Sequence, residues 1–299
     1  MSTGPGTTGL GVARSWLYVP GHRADLVAKA LAGEAEAVVV DLEDAVAAGA
    51  KDAARSTVAD LAAGPRDRPL WVRMNAPGEA AGHADDPWGA ADAAVLARAD
   101  VDGVRVPKAS DPDAVARLAD RLGRPLHLLL ESALGVERAF ALATAHPLVA
   151  AVSLGEADLA ADLRVADRAA LEWARQRVVV ASRAAGLPSP LAPVWTDLPD
   201  LDGLALDSRT ARDRGFWGRS VIHPRQVPVV HRAFAATADE LARARALLDS
   251  LEDAGARGET AYRDAEGRFV DPAVVAGART VLARAVHRSA VPAETRETP

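Results

Sequence analysis

Eight short runs rich in valine and leucine alternate with stretches of helical spacing along most of this 299-residue chain. Buried parallel strands read as nearly continuous apolar runs, and a crossover must separate each strand from the next. Eight such units favour a closed (β/α)8 TIM barrel, and the pattern alone leaves an open doubly wound sheet as the alternative. The predicted strands are SWLYVP (15–20), AVVVDLE (37–43), LWVRMNA (70–76), GVRVPK (103–108), LHLLLES (126–132), VAAVSLGEADL (149–159), LAPVWT (191–196) and SVIHP (220–224).

The chain is longer than such a barrel requires, since about 250 residues are typical. Two further helix-like segments follow the eighth run, and together they are too short to bury a large core alone. The Gly/Thr-rich start and the polar end have no core to join and are expected to be flexible. The predicted segments are an N-terminal tail (1–13), the barrel (14–236), a C-terminal helical appendage (237–287) and a C-terminal tail (288–299).

Composition narrows the classes of partner and site. Hydrophobic residues make up 49% of the chain, so a large core can be buried. The 35 basic and 41 acidic residues give a net charge of −6, which argues against nucleic acid or an anionic membrane as the main partner. The absence of cysteine excludes disulfides, thiolate metal sites and cysteine nucleophiles, and it fits a cytoplasmic location. No signal-peptide pattern and no apolar run of membrane-spanning length is present.

Polar residues follow each predicted strand, and in a parallel barrel the loops after the strands build the active site. We therefore expect these side chains to converge at one mouth. In strand order they are Arg23; Asp41, Glu43 and Asp44; Arg73 and Asn75; Lys108; Glu131; Glu156 and Asp158; Thr196 and Asp197; and His223.

Glu131 and Asp158 end neighbouring strands and are the best candidates for a metal site. Two carboxylates with open positions for water and substrate oxygens suit Mg²⁺, whereas zinc prefers His or Cys, which do not recur at ligand spacing. A strand-end acid is also commonly a helix cap or a solvated charge. Glu131 fits that alternative less well, because an apolar run precedes it and a carboxylate there needs a metal or a strong donor.

Three basic residues have competing interpretations. Arg73 can clamp a substrate carboxylate, or it can form an ion pair with the acidic residues of the second strand; both can hold at once. Lys108 can form a Schiff base, but a salt-bridged lysine is favoured. His223 can act as a general base, but a loop-fixing hydrogen bond before Pro224 is favoured.

A series of motifs follows in order along the chain from about residue 14 to 236, and more loosely to about 287. The motifs are "RSWLYVPGHRADLVAKAL", "AVVVDLEDAV" with "KDAAR", "VRMN", "GVRVPK", "ESALGVERA", "VSLGEADLAADL", "LEWARQRVVVASRAAGL" and "RGFWGRSVIHPRQVPVVHRAF". Together they resemble the citrate lyase beta-subunit-like family of HpcH/HpaI-type aldolases, which includes malyl-CoA, citramalyl-CoA and citryl-CoA lyases.

This resemblance implies a (β/α)8 barrel that assembles into homotrimers or hexamers. It also implies a carbon–carbon lyase that uses Mg²⁺, or Mn²⁺ in its place, and acts on a 3-hydroxyacyl-CoA thioester through an acetyl-CoA enolate. The keto acid released is glyoxylate, pyruvate or oxaloacetate. Two other activities stay open: a synthase-like enzyme that couples condensation to thioester hydrolysis, and a non-catalytic acyl-CoA-binding subunit.

By the same resemblance, Glu131 and Asp158 match the metal ligands, with Glu131 also at the substrate, and Arg73 matches the arginine that holds the keto-acid carboxylate. Asp271 matches an aspartate placed over the active site of its own or a neighbouring subunit, although its simplest interpretation from the residues is a helix cap. The remaining site predictions are Glu43 and Asp44, as acceptors for metal-bound water and basic neighbours, and Arg14, Arg23 and Lys29, near the CoA phosphates.

One departure from the family pattern bears on the substrate. The chain has "ESALG" where many relatives have "ETARG", so Ser132 and Leu134 replace a threonine and an arginine. The loss of that arginine touches neither predicted metal ligand, but it puts the identity of the accepted acyl group in doubt.

Overall fold

The computed structural model describes residues 9–64, 67–78, 87–256, 261–264 and 267–286. The chain divides into two compact units, Met1–Ala233 and Phe234–Pro299. Unit 1 contains eight parallel strands with helices between them, which confirms the predicted (β/α)8 barrel. None of the described helices combines the length and apolar character that a membrane crossing requires.

The barrel strands are β1 (Ser15–Pro20), β2 (Ala37–Asp41), β3 (Leu70–Arg73), β4 (Gly103–Val106), β5 (Leu126–Leu130), β6 (Val149–Leu154), β7 (Leu191–Ala192) and β8 (Gly218–Val221). The described α-helices of unit 1 are α1 (Ala24–Ala32), α2 (Lys51–Ala62), α3 (Pro87–Leu96), α4 (Pro112–Leu122), α5 (Ala133–Glu137), α6 (Ala139–Ala143), α7 (Glu156–Leu163), α8 (Glu172–Ala184), α9 (Leu201–Asp213) and α10 (Val227–Phe234), the last of which ends at the boundary between the units.

Neighbouring strands pair in the order β6-β5-β4-β3-β2-β1-β8-β7. The strands at the two ends of this order are β6 and β7. They are joined by a side-chain hydrogen bond and not by a backbone ladder, since the Leu191 amide of β7 donates to Ser153 Oγ of β6 at 3.1 Å. The short β7 thus meets β6, and the sheet is nearly closed. All carboxyl ends of the strands consequently face the same way, which places the polar strand-end residues at one mouth.

Large side chains fill the barrel interior. Trp16, Trp71 and His127 lie edge to face, with ring centroids 5.5 to 6.4 Å apart. Gly103 is required beside them, because a Cβ at this position would lie 2.3 Å from the Trp71 ring. Aromatic packing of this kind adds to the free energy gained from burying the rings themselves.

Two boundaries differ from the sequence prediction. The sixth strand was predicted to extend to residue 159, but it ends at Leu154 and α7 begins at Glu156, so Asp158 lies in the first turn of a helix. Residues 9–13 were assigned to a flexible tail, but Gly9 accepts from the Val12 and Ala13 amides, and Ala13 packs in a core cluster with Trp16. The rest of the predicted N-terminal tail and all of the C-terminal one lie outside the described residues.

The described part of unit 2 contains two helices, α11 (Ala238–Ala256) and α12 (Pro272–Val286), which agrees with the two predicted helical segments. A short antiparallel pair, β9 (Tyr262–Arg263) and β10 (Phe269–Val270), lies between them in the chain. Asp271 caps α12: its Oδ1 accepts from the amides of Ala273 and Val274 at 2.9 and 3.0 Å. Pro272 occupies the first helical position, where its missing N–H costs nothing.

Candidate active site

A cavity of about 460 Å³ opens at the carboxyl ends of the barrel strands. Its wall takes residues from β1, β2, β3, β5, β6, β7 and β8 and from the loops that follow several of them. The cavity therefore brings together a large part of the predicted strand-end set. The members of that set that line it are Asp41, Asp44, Arg73, Glu131, Glu156, Asp158 and Thr196.

One wall of the cavity, formed by β2 and β3, pairs the acidic residues with Arg73. Asp41 accepts two hydrogen bonds from the Arg73 guanidinium at 2.7 and 2.6 Å, and the same carboxylate caps its own turn by accepting from the Glu43 and Ala45 amides. Arg73 Nη1 also lies 2.8 Å from Glu43 Oε2 and 3.0 Å from Asp44 Oδ2. The ion pair predicted as one interpretation of Arg73 is thus present, and it leaves one Nη2 hydrogen for a ligand.

A buried lysine holds the loop that carries these acids. Lys51 Nζ donates to the carbonyls of Leu42 and Glu43 at 2.6 and 2.8 Å and to Asn75 Oδ1 at 2.6 Å. Asn75 in turn donates to Leu42 O and to the buried Asp92. Sequence reasoning assigned no structural role of its own to the motif "KDAAR", which begins with Lys51. The structure shows its lysine fixing the backbone beneath Glu43.

A second wall, at the ends of β5 and β6, carries Glu131. The Lys108 amide donates to its Oε2 at 2.9 Å, and Lys108 adopts a left-handed backbone conformation with φ 54°. Such a conformation costs a non-glycine residue about 1–2 kcal/mol. Gly155 packs against the other carboxylate oxygen, since a Cβ there would lie 2.4 Å from Glu131 Oε1. Backbone on both sides therefore fixes this carboxylate.

Asp158 reaches the cavity from the first turn of α7, where the helix N-terminus favours a negative charge. An ion-pair network anchors this turn, because Arg175 binds Glu156 through both Nε and Nη2 and also contacts Asp207 at 3.2 Å. Glu156 therefore has a structural role in this ion-pair network. No described arginine or lysine forms an ion pair with Asp158 or with Glu131.

Each wall carries one buried carboxyl group with a raised pKa. Burial, followed by the charges of Glu43 and Asp158, raises the pKa of Glu131 to about 8. Burial also raises the pKa of Glu43 to about 7, although Arg73 opposes the shift and Lys108 lies 3.1 Å away. A divalent cation between Glu131 and Asp158 would favour the ionised form of Glu131 and so oppose the burial and the neighbouring charges that raise its pKa.

The two carboxylates Glu131 and Asp158 suit Mg²⁺ better than a metal ion whose ligands all come from the protein. No cluster of three or more His, Cys, Asp or Glu side chains suited to a metal occurs within the described residues. Mg²⁺ is commonly held by one or two carboxylates and keeps several positions for water and substrate oxygens. Glu131 and Asp158, which both line the cavity, provide that arrangement.

The floor of the cavity contains a site that sequence reasoning missed. Tyr18 and Ser220 line it from β1 and β8, and each hydroxyl accepts a hydrogen bond from Arg105 Nη1 at 2.9 Å. Arg105 is fully buried in β4, a strand whose other three residues are apolar or glycine. A charged residue in the middle of such a strand was the available signal.

The residues predicted near the CoA phosphates are among those that do not line this cavity. Arg14 precedes β1, at the amino end of the strands, and its guanidinium binds Glu36. Arg23 pairs with Asp25 at 2.9 Å on the surface, and Lys29 is exposed in the last turn of α1. Two further strand-end residues have structural contacts: Lys108 is salt-bridged to Glu43, and His223 Nδ1 accepts from the Arg225 amide at 3.1 Å, as the favoured interpretations predicted.

Comparison with known proteins places this site in a family. Residues 14–224 match the family model of HpcH/HpaI aldolase/citrate lyase. The citrate lyase subunit beta-like protein of Deinococcus radiodurans is 36% identical over 283 residues, which cover 90% of this chain and 96% of that protein. A (3S)-malyl-CoA thioesterase of Cereibacter sphaeroides is 33% identical, covering 91% of this chain and 94% of the relative.

A solved structure agrees with the sequence relatives. The protein CitE from Mycobacterium tuberculosis, in complex with magnesium, acetoacetate and coenzyme A, superposes with a TM-score of 0.76. It is 34% identical, and the match covers 93% of this chain and 100% of that one. The resemblance predicted from the motifs is confirmed, and the chain belongs to the HpcH/HpaI aldolase/citrate lyase family.

Proposed function

We propose that this protein is a Mg²⁺-dependent lyase that cleaves or forms the carbon–carbon bond of a 3-hydroxyacyl-CoA thioester such as malyl-, citramalyl- or citryl-CoA. The observation that carries the proposal is the pair of carboxylates, Glu131 and Asp158, which face a cavity without a cationic partner among the described residues while Arg73 lines the same cavity. The magnesium and coenzyme A bound by the similar CitE structure support the choice of metal and substrate class.

Glu131 and Asp158 would hold the ion, with Mn²⁺ as a substitute. When bound, Mg²⁺ supplies Lewis-acid polarisation of the substrate oxygens and lowers the pKa of the 3-hydroxyl group. Arg73 donates its remaining Nη2 hydrogen to the keto-acid carboxylate, and Asp41, Glu43 and Asp44 hold the guanidinium in place. The backbone contacts of Glu131 keep its carboxylate oriented before substrate arrives.

Asp271 is the proposed acid–base group at the acetyl-CoA methyl carbon, on the strength of the family resemblance. It would deliver a proton to the enolate carbon during cleavage and remove one during condensation. We expect Asp271→Asn to leave Mg²⁺ and keto-acid binding intact and to slow turnover by about 10²- to 10⁴-fold. Unchanged turnover in Asp271→Asn would show that Asp271 is not this acid–base group. Contacts of Arg14, Arg23 and Lys29 with CoA phosphates, a homotrimeric or hexameric assembly and a cytoplasmic location remain predictions.

A second activity is favoured by one specific observation. The relative from Cereibacter sphaeroides is named a (3S)-malyl-CoA thioesterase and matches almost the whole chain. An enzyme of this kind would release free CoA from the thioester. It could then complete a malate- or citramalate-synthase-like reaction by hydrolysing the condensation product.

One assay separates these activities. Purified protein is mixed with malyl-, citramalyl- or citryl-CoA, with and without Mg²⁺, and both the keto acid and free CoA are measured. A lyase releases keto acid and acetyl-CoA only when Mg²⁺ is present, whereas a thioesterase releases free CoA and a hydroxy acid. Binding of acyl-CoA without turnover of any thioester would instead indicate the non-catalytic subunit, and it would refute the proposed lyase.

A further inference from the structure

We propose that the hydroxyl groups of Tyr18 and Ser220, both hydrogen-bonded to Arg105, form a carboxylate-binding subsite on the floor of the cavity. This inference rests on the proposed function, because the carboxylate is that of the keto acid which the lyase releases or condenses. Arg105 is a positioning residue in this subsite. It acts on the ligand through the two hydroxyls, which contact the carboxylate directly.

The first argument is the incomplete pairing of Arg105. Its side chain is 0% exposed, and Nη1 donates to both hydroxyls. Nε and Nη2 are buried and have no hydrogen-bond partner. No described Asp or Glu forms an ion pair with this guanidinium, in contrast to the equally buried Arg219, which binds Asp207. A buried cation without a counterion is unusual, because desolvating a charge is costly.

The immediate surroundings compensate for only part of this charge. The Arg105 guanidinium carbon lies 5.0 Å from the Trp16 ring and 5.1 Å from the Tyr18 ring, so both π-faces attract it. His127 adds no negative charge, and both burial and the proximity of Arg105 hold the pKa of that imidazole well below its usual value. A ligand anion in the cavity would supply the charge that the barrel interior lacks.

The second argument is the direction of the hydroxyl hydrogens. A hydroxyl that accepts a hydrogen bond from a cation still has its own hydrogen to donate, and it cannot donate it back to that cation. Tyr18 and Ser220 line the cavity, and their hydroxyls make no other hydrogen bond with the described residues. Their hydrogens are therefore available to an acceptor inside the cavity. Arg105 thus converts two neutral hydroxyls into a pair of polarised donors.

The third argument is the limited capacity of Arg73. Its Nε and one Nη2 hydrogen are committed to Asp41, so it cannot offer a substrate carboxylate the usual two parallel bonds. The Tyr18 ring lies 5.1 Å from the Arg73 guanidinium carbon as well as from that of Arg105. One carboxylate can therefore accept from Arg73 and from the two hydroxyls, and together these donors would satisfy both of its oxygens.

The test measures keto-acid binding by calorimetry in the presence of Mg²⁺, with no CoA thioester and no turnover. Pyruvate carries one carboxylate and oxaloacetate carries two. We expect Arg105→Met to weaken pyruvate binding about 10- to 100-fold, the range for a hydrogen bond to a charged group. Tyr18→Phe and Ser220→Ala each remove one donor and should weaken it about 3- to 20-fold. If these variants weaken the binding of oxaloacetate but leave that of pyruvate unchanged, the subsite binds the second carboxylate of oxaloacetate.

Two controls exclude a merely structural role. The melting temperature of Arg105→Met should not fall, because the change removes a buried charge that has no counterion, whereas Arg219→Met should lower it by removing one cationic partner of Asp207. Mg²⁺ affinity should stay within about threefold of wild type in all three subsite variants, since none of these residues is a proposed metal ligand. A fall in melting temperature together with a loss of Mg²⁺ binding would assign Arg105 to structure.

Wild-type affinity for pyruvate and oxaloacetate in Arg105→Met would overturn the inference even in an active lyase. The same holds if the wild-type protein binds neither keto acid in the presence of Mg²⁺. The proposed function fails by a different observation, namely the absence of Mg²⁺-dependent cleavage of every CoA thioester tested. The two failures are therefore distinguishable, because one is measured by binding and the other by product formation.

Discussion

The two walls of the cavity use similar residues in opposite ways. At the ends of β2 and β3, three carboxylates surround Arg73, and Lys108 forms a salt bridge with Glu43. At the ends of β5 and β6, Glu131 and Asp158 have no ion-pair partner within the described part of the chain. Each wall has one carboxyl group with a raised pKa, about 7 for Glu43 and about 8 for Glu131, so the ion pairs make the difference. We call the first wall balanced and the second unbalanced. The balanced acids hold the site together through their cationic partners, and we propose that the unbalanced acids bind a cation.

Removing a carboxylate from the unbalanced wall should have the largest effect on activity. Asp158→Ala takes away one of two proposed metal ligands, so Mg²⁺-dependent turnover should fall by at least about 10³-fold. Steady-state kinetics over a range of Mg²⁺ concentrations checks this. Asp60→Ala on the exposed face of α2 is the matched control and should behave as wild type. Activity within tenfold of wild type in Asp158→Ala would contradict the assignment.

Removing a carboxylate from the balanced wall should instead cost stability. Asp41→Ala deletes a turn cap and leaves a largely buried Arg73 with two partners in place of three, so the free energy of unfolding should drop by about 2–4 kcal/mol. Urea denaturation measures the change. Asp44→Ala is a control on the same wall, and because its carboxylate is 63% exposed it should cost less than about 1 kcal/mol. Equal losses in the two variants would refute the distinction.

A backbone change can disturb the unbalanced wall without touching a carboxylate. In Gly155→Ala the new methyl group would lie 2.4 Å from Glu131 Oε1, so Glu131 must move and Mg²⁺ affinity should fall by about 10²-fold. Gly49→Ala is the control, since nothing lies within 4 Å of the added carbon. Calorimetric titration with Mg²⁺ gives both values, and wild-type affinity in Gly155→Ala would show that Glu131 is not a ligand.

The raised pKa of Glu131 also predicts how stability depends on pH without metal. The folded protein holds the Glu131 proton up to about pH 8, whereas the unfolded chain releases it near the ordinary value of 4.5. The resulting stabilisation is complete below pH 4.5 and is lost as the pH rises through 8. With a chelator present, Glu131→Gln should remove on the order of 5 kcal/mol of this decline. If the stability of Glu131→Gln declines with pH as much as that of the wild type, the decline belongs to other groups.

Much of this site could be predicted, because it depends on features that are local in sequence. Apolar runs and the polar residues that follow them located the strands and the mouth, and the nearness of Arg73 to the acidic residues of β2 suggested their ion pair. Asp158 was placed on a strand and lies on a helix, because Gly155 ends the strand and the sequence pattern did not mark that change.

The parts that were missed depend on closure of the barrel. Tyr18, Arg105 and Ser220 come from β1, β4 and β8, and no pattern within one segment relates three strands so far apart in the chain. The contact of Arg14 with a CoA phosphate stays a prediction, and its motif gave no sign that this residue lies before β1, at the end of the strands opposite the cavity. Strand direction, more than residue type, decides which of these side chains can reach a ligand.

The most direct test of the difference between the two walls is a calorimetric titration of the wild-type protein with Mg²⁺ at pH 8, repeated with Glu131→Gln and Asp41→Asn. A cation site on the unbalanced wall predicts one Mg²⁺ per chain in the wild type and in Asp41→Asn, with binding lost in Glu131→Gln. Binding that survives in Glu131→Gln but disappears in Asp41→Asn would place the metal on the opposite wall and contradict this description of the site.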